Sequence, residues 1–175
     1  WEFSDQSTDG ANMGFSYGQP YITRLHSGKW VVLVPASYNN QHADSVLGDG
    51  HAWLFVLDAS NGTVLHKFDV SAIDASARAL GGVQGVNLDH EDITDFAYAG
   101  DLAGNIWRFD LRGKTTAGWG VSKLFEPAVK GARPITAAPR AEFHPVTRRP
   151  MIFVGTGKYL ESTDRSTAIP TQAFY

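Results

Sequence analysis

The sequence has no cysteine, which excludes disulfides, thiolate metal sites, cysteine nucleophiles and iron–sulfur clusters together and leaves the redox compartment open. It has no basic excess either. Fifteen Lys and Arg residues against 18 Asp and Glu give a net charge of -3, and the basic residues are scattered, so nucleic acid is a poor partner. No apolar run approaches the roughly 18 residues of a helical membrane span, so no transmembrane segment is expected in this chain. The first residues, Trp1-Glu2-Phe3-Ser4-Asp5, lack the basic and apolar regions of a signal peptide. What the chain does hold is apolar material: 43% of its 175 residues, with five Trp, ten Phe and six Tyr, suffices for the core of one domain.

That material comes in short runs rich in β-branched and aromatic residues, bounded by Gly, Asp, Asn and Pro, which predicts strands. The runs are Tyr21 to Leu25, Trp30 to Val34, Ala52 to Leu57, Val64 to Val70, Phe96 to Ala99, Ile106 to Leu111 and Met151 to Val154. Only Ala72 to Leu80 offers a short helix, with Ser71 or Asp74 as its cap. Ser27-Gly28 and Asn61-Gly62 are hairpin turns, and consecutive hairpins make antiparallel meanders.

One phrase occurs twice, as Val56 to Asp69 and as Ala99 to Asp110: an Asp, a Gly turn, an apolar pair, a basic residue and Phe-Asp. A second element, an apolar strand ending in a small residue, recurs at Trp30 to Ala36, Phe96 to Gly100 and Met151 to Gly155, about 60 residues apart. This spacing predicts an all-β fold: a β-propeller of four-stranded antiparallel blades, present as about two and a half blades over residues 1–175. Closed propellers typically have about 4 to 8 blades, so the chain is expected to be part of a longer protein, with Trp1-Glu2-Phe3 ending one blade and Ala173-Phe174-Tyr175 beginning another strand.

Five segments carry a resemblance: Gly14 to Pro20 with Gly28 to Val32; Leu54 to Ala59 with Asn61-Gly62; Tyr98 to Leu102; Gly104 to Leu111; and Gly155 to Leu160. In that order they resemble the C-terminal propeller of the PilY family. The resemblance implies a non-catalytic module of a large protein of type IV pilus systems in Gram-negative bacteria, secreted to the cell surface and the pilus tip. Its implied partners are minor pilins and the tip complex, and host or abiotic surfaces; its implied roles are pilus assembly and extension, adhesion and twitching motility. Asp58 to Phe68 also resembles the blade repeat of quinoprotein dehydrogenases, which use pyrroloquinoline quinone with calcium. Those repeats favour Trp where this chain has His66.

The most informative local pattern is Asn87-Leu88-Asp89-His90-Glu91-Asp92-Ile93-Thr94-Asp95. Oxygen-bearing side chains stand at positions 1, 3, 5 and 9, and position 7 offers its carbonyl. Calcium takes about six to eight hard oxygen ligands, and four carboxylates in seven residues repel one another without a cation. Spacing alone favours a solvated acidic turn. The PilY resemblance implies a nine-residue calcium loop and places Asn87, Asp89, Glu91, Ile93 and Asp95 on its ligand positions, with Asn87 and Glu91 replacing the more usual Asp.

Other patterns are weaker. Gly14-Phe15-Ser16-Tyr17-Gly18 has the spacing of a hydrolase elbow but lacks a strand before Ser16 and a helix after it, so no catalytic residue is expected. Gly155-Thr156-Gly157-Lys158 lacks the spacing of a phosphate loop, and its glycines are read as permitting close backbone approach. His42, Asp44, Asp49 and His51 share a polar insertion that could hold a metal. Trp30, Trp53, Trp107 and Phe109 are expected between blades, and Trp119, among glycines, is a possible carbohydrate platform.

Overall fold

The computed structural model describes residues 1–36, 38–41, 47–89, 91–166 and 168–175. Its strands are β1 (Tyr21–Arg24), β2 (Trp30–Pro35), β3 (Trp53–Asp58), β4 (Val64–Asp69), β5 (Leu80–Val86), β6 (Phe96–Asp101), β7 (Ile106–Asp110), β8 (Gly120–Phe125), β9 (Arg140–Phe143) and β10 (Pro150–Phe153). β1 to β4 form one antiparallel four-stranded meander and β5 to β8 a second. β9 and β10 open a third. The tail continues it: Phe174 bridges Gly155 antiparallel, and Val154 and Tyr175 exchange both backbone hydrogen bonds at 2.9 Å. The recurrent apolar strands are thus β2, β6 and β10, the second strand of each meander.

The twice-occurring phrase falls on different hairpins of the two blades: the third and fourth strands of the first, β3 to β4, and the second and third of the second, β6 to β7. In the second, the buried carboxylate of Asp101 accepts from the Asn105 backbone N–H (2.9 Å), Asn105 Nδ2 (2.8 Å) and Trp107 Nε1 (2.8 Å). Its counterpart Asp58 accepts from Ser60 N–H (3.0 Å), Ser60 Oγ (2.6 Å) and Lys29 Nζ (2.7 Å). An Asp at this place therefore closes each hairpin with side-chain acceptors. Of the Asn61-Gly62 pair only Gly62 takes positive φ, 76°, and the register of β3 on β4 shifts by a bulge.

Because side chains alternate across a strand, each blade has two faces to cover. Leu25, Val31, Leu33, Leu54, Val56 and Phe68 of the first blade pack with Leu80, Val83, Ala97, Ala99, Trp107 and Phe109 of the second in one continuous core. The opposite face of the second blade meets the third through Val86, Phe96 and Tyr98 on Phe143 and Ile152, and through Ile106 on Ile135 and Val154. Gly100 permits this second seam: a Cβ there would lie 2.1 Å from Ile135 Cγ2.

Several expectations need correction. Ala72 to Leu80 is no helix; it is a run of turns until β5 begins. Ser71 Oγ accepts from Ala52 N–H (2.9 Å) and donates to the Ala77 carbonyl (3.1 Å), and Asp74 folds onto Ser76 and two lysines, so both polar residues stabilise a loop instead of capping a helix. Tyr21 to Leu25, expected to be largely buried as an apolar run, buries only Thr23 and Leu25, and Ile22 is 65% exposed. Trp107 and Phe109 do pack between blades, whereas Trp30 is 58% exposed on the first blade's outer face.

Candidate metal centre

The acidic loop joins β5 to β6 in the second blade. Its chain folds back on itself through alternate side chains. Asn87 Oδ1 accepts from Asp89 N–H (3.0 Å), Asp89 Oδ1 from Glu91 N–H (3.2 Å), and Asp95 Oδ2 from Leu88 N–H (2.8 Å). Asp92, the sixth position, sits at φ 57°, the left-handed region that Asp tolerates better than most residues. The exit is fixed: Asp95 N–H donates to the Val86 carbonyl and Leu111 N–H donates to that of Asp95, both at 2.9 Å. Asp95 is 5% exposed, while Asp89 and Glu91 stand in solvent.

The donor set fits calcium in kind. It offers carboxylate, amide and peptide oxygens, the hard ligands this ion takes, and a carboxylate has about four lone-pair sites, so Asp95 can accept its two hydrogen bonds and still ligate. The set is only partly gathered. Among the described residues no three His, Cys, Asp or Glu side chains converge closely enough to hold a metal; to share an ion with the anchored Asp95, Asp89 and Glu91 would have to turn inward. His90 lies outside the described residues.

The meanders, their order and this loop can be set beside known proteins. The model of the PilY1 beta-propeller domain matches residues 4–175. The chain belongs to this family. It is 33% identical to the type IV pilus biogenesis factor PilY1 of Pseudomonas aeruginosa (strain UCBPP-PA14), over 94% of this chain and 16% of that protein. It is 26% identical to a type IV pilus biogenesis factor PilY1 homolog of Xylella fastidiosa (strain Temecula1 / ATCC 700964), over 95% of this chain and 12% of that one. The crystal structure of the Pseudomonas aeruginosa PilY1 C-terminal domain superposes with a TM-score of 0.79 at 29% identity, covering 94% of this chain and 37% of that domain. The chain therefore spans a small part of its full-length relatives.

Within this PilY1 propeller the remaining candidates are placed as follows. Ser16 is exposed and followed by Pro20 and β1, with no helix after it. Gly155 and Gly157 have open space where a Cβ would stand, so close approach is not their role; Gly157 is held at φ 141° with its N–H on the Pro134 carbonyl (2.7 Å). His42 and Asp44 lie outside the described residues. Asp49 accepts from Asn12, His51 N–H and Trp53 Nε1, and His51 pairs with Asp69 at 2.7 Å, a hydrogen bond that raises its pKa. Trp119 is partly buried: its indole donates to the Gly113 carbonyl (2.7 Å) and its ring contacts His66 in a T-shaped arrangement at 5.7 Å. His66, where quinoprotein repeats favour Trp, also meets Phe68 at 4.5 Å, and burial lowers its pKa.

Spacing gave no sign of the residues that brace the loop from the first blade, Thr23, Arg24 and His26. They lie about 70 residues away in sequence, and only a pairing of blades could reveal them.

Proposed function

We propose that this chain is a non-catalytic, calcium-binding propeller module of a type IV pilus biogenesis protein. It acts at the cell surface and pilus tip, where it supports pilus assembly and extension, adhesion and surface motility with minor pilins and the tip complex as partners. The carrying observation is the β5–β6 loop, whose alternate oxygen side chains fold onto its own amides around a buried Asp95. Asn87, Asp89, Glu91 and Asp95 would hold the ion through side-chain oxygens and Ile93 through its carbonyl. Bound Ca²⁺ supplies positive charge that offsets the mutual repulsion of the carboxylates. Asp95 fixes the end of the loop, Asp89 and Glu91 close over it, and the chain between β5 and β6 becomes a defined surface on which a protein partner can dock. Among the described residues no helix is long and apolar enough to cross a membrane.

The test is an allele of the full-length protein carrying Asp89→Ala with Asp95→Ala in a piliated bacterium. Surface pili and twitching zones should fall sharply at unchanged protein level. Wild-type piliation and motility would remove the proposed role.

A further inference from the structure

Asp95 belongs to the second blade, yet the residue that fixes its carboxylate belongs to the first. His26, in the turn between β1 and β2, donates from Nε2 to Asp95 Oδ1 at 2.9 Å, while the Leu88 N–H takes Oδ2. With each oxygen held by a donor from a different direction, the carboxylate has one orientation. The residue before it is tied to the same hairpin. Thr94 N–H donates to the Arg24 carbonyl (2.9 Å), and the Thr94 and Thr23 hydroxyls share a buried hydrogen bond of 2.6 Å. Thr23 and Thr94 are 6% and 3% exposed, so little water competes for this bond. Gly85 leaves room for it, since a Cβ there would stand 3.0 Å from Thr94 Oγ1 and 2.3 Å from the Tyr21 ring.

We propose that this hairpin of the first blade is a positioning device for the calcium loop of the second. His26 aims Asp95, Thr23 and the Arg24 carbonyl hold Thr94, and the ion's affinity is set across the seam between two blades. The proposal rests on the calcium reading given above. It follows that the coupling is mutual. Whatever raises calcium affinity by holding the loop in its binding shape must itself be tightened when calcium binds. Residues that orient a metal ligand typically change affinity by about 10–100-fold when removed, which is the range expected for His26→Ala. Thr23→Val, which keeps the shape but removes a hydroxyl, should have a smaller effect in the same direction. His26→Gln, whose amide can donate over a similar reach, should recover most of the loss.

The experiment is competition of the full-length protein with a chromophoric chelator for Ca²⁺, on wild type, His26→Ala, His26→Gln, Thr23→Val and Val56→Ala. Val56 lies in the same inter-blade core but pairs with Leu33 and His66 across its sheet, so its variant weakens the seam without removing a positioning contact. The expected result is a calcium Kd raised about 10–100-fold in His26→Ala, largely recovered in His26→Gln, and unchanged in Val56→Ala although its melting temperature falls. Wild-type affinity in both His26→Ala and Thr23→Val overturns the proposal while leaving the calcium reading intact. Equal losses in His26→Ala and Val56→Ala also overturn it, because general loosening would then suffice. No binding by wild type overturns the calcium reading itself and the inference with it.

Discussion

At the scale of single residues, buried carboxylates do most of the organising. Asp101 is fully buried and accepts three hydrogen bonds, and burial raises its pKa against the pull of those donors. Asp101→Ala strands the Trp107 and Asn105 donors in the core and should cost on the order of 2–5 kcal/mol in a denaturation experiment. Asp58 and Asp74 behave in the opposite way. Hydrogen bonds from Lys29 and Ser60 hold the Asp58 carboxyl below the usual range. At Asp74 burial pushes the pKa up, but Lys123, Lys130 and Ser76 outweigh it and hold the group low. For both, the unfolded chain binds a proton more readily than the folded one. Their stabilisation is therefore present above the ordinary carboxylate pKa of about 4 and is lost as pH falls below it. Urea midpoints should drop between about pH 6 and about pH 3, and Asp74→Asn should flatten that drop.

At the scale of elements, the tight seams are the sensitive places. Gly100→Ala would push a Cβ to 2.1 Å from Ile135 Cγ2 and should destabilise by about 1–3 kcal/mol; Ile135→Ala in the same chain should return part of the loss, measurable as a double-mutant cycle. Such seams explain what was legible in the sequence. β2, β3, β6 and β7 are buried runs of branched and aromatic residues, and their apolar character betrays them. β5 was legible only at its end, Val83 to Val86, as the strand that enters the acidic loop; Leu80-Gly81-Gly82 before it reads as a glycine-rich turn, and those glycines are there to let neighbouring backbone approach, as at Gly81 beneath the Thr136 carbonyl. β8 is half-exposed and mixed in polarity, so no clear alternation marks it; β9 does alternate, but over only Arg140–Phe143, too short a stretch to stand out. The loop from Asn87 to Asp95 was legible because its donors are local. His26 and Thr23 were not, because their part in it depends on blade packing.

At the scale of the molecule, the first two blades share one core, and the first blade adds a smaller cluster of Val34, Ala36, Phe55 and Leu57 on its other face. Phe109→Ala, at the centre of that core, should cost about 3–5 kcal/mol and move the unfolding of both blades together, so that tryptophan fluorescence and far-UV circular dichroism report one transition. A blade that melted separately would mean that the shared core is not what couples them. The acidic loop lies where this coupling meets the surface, anchored at Asp95 and braced from the neighbouring blade. The central claim is that it binds calcium. Calorimetric titration of Ca²⁺ into the wild-type protein and into the Asp89→Ala, Asp95→Ala double variant tests it most directly. The account predicts one saturable site in the wild type that disappears in the variant; a wild type without saturable binding, or a variant that binds as tightly, would contradict it.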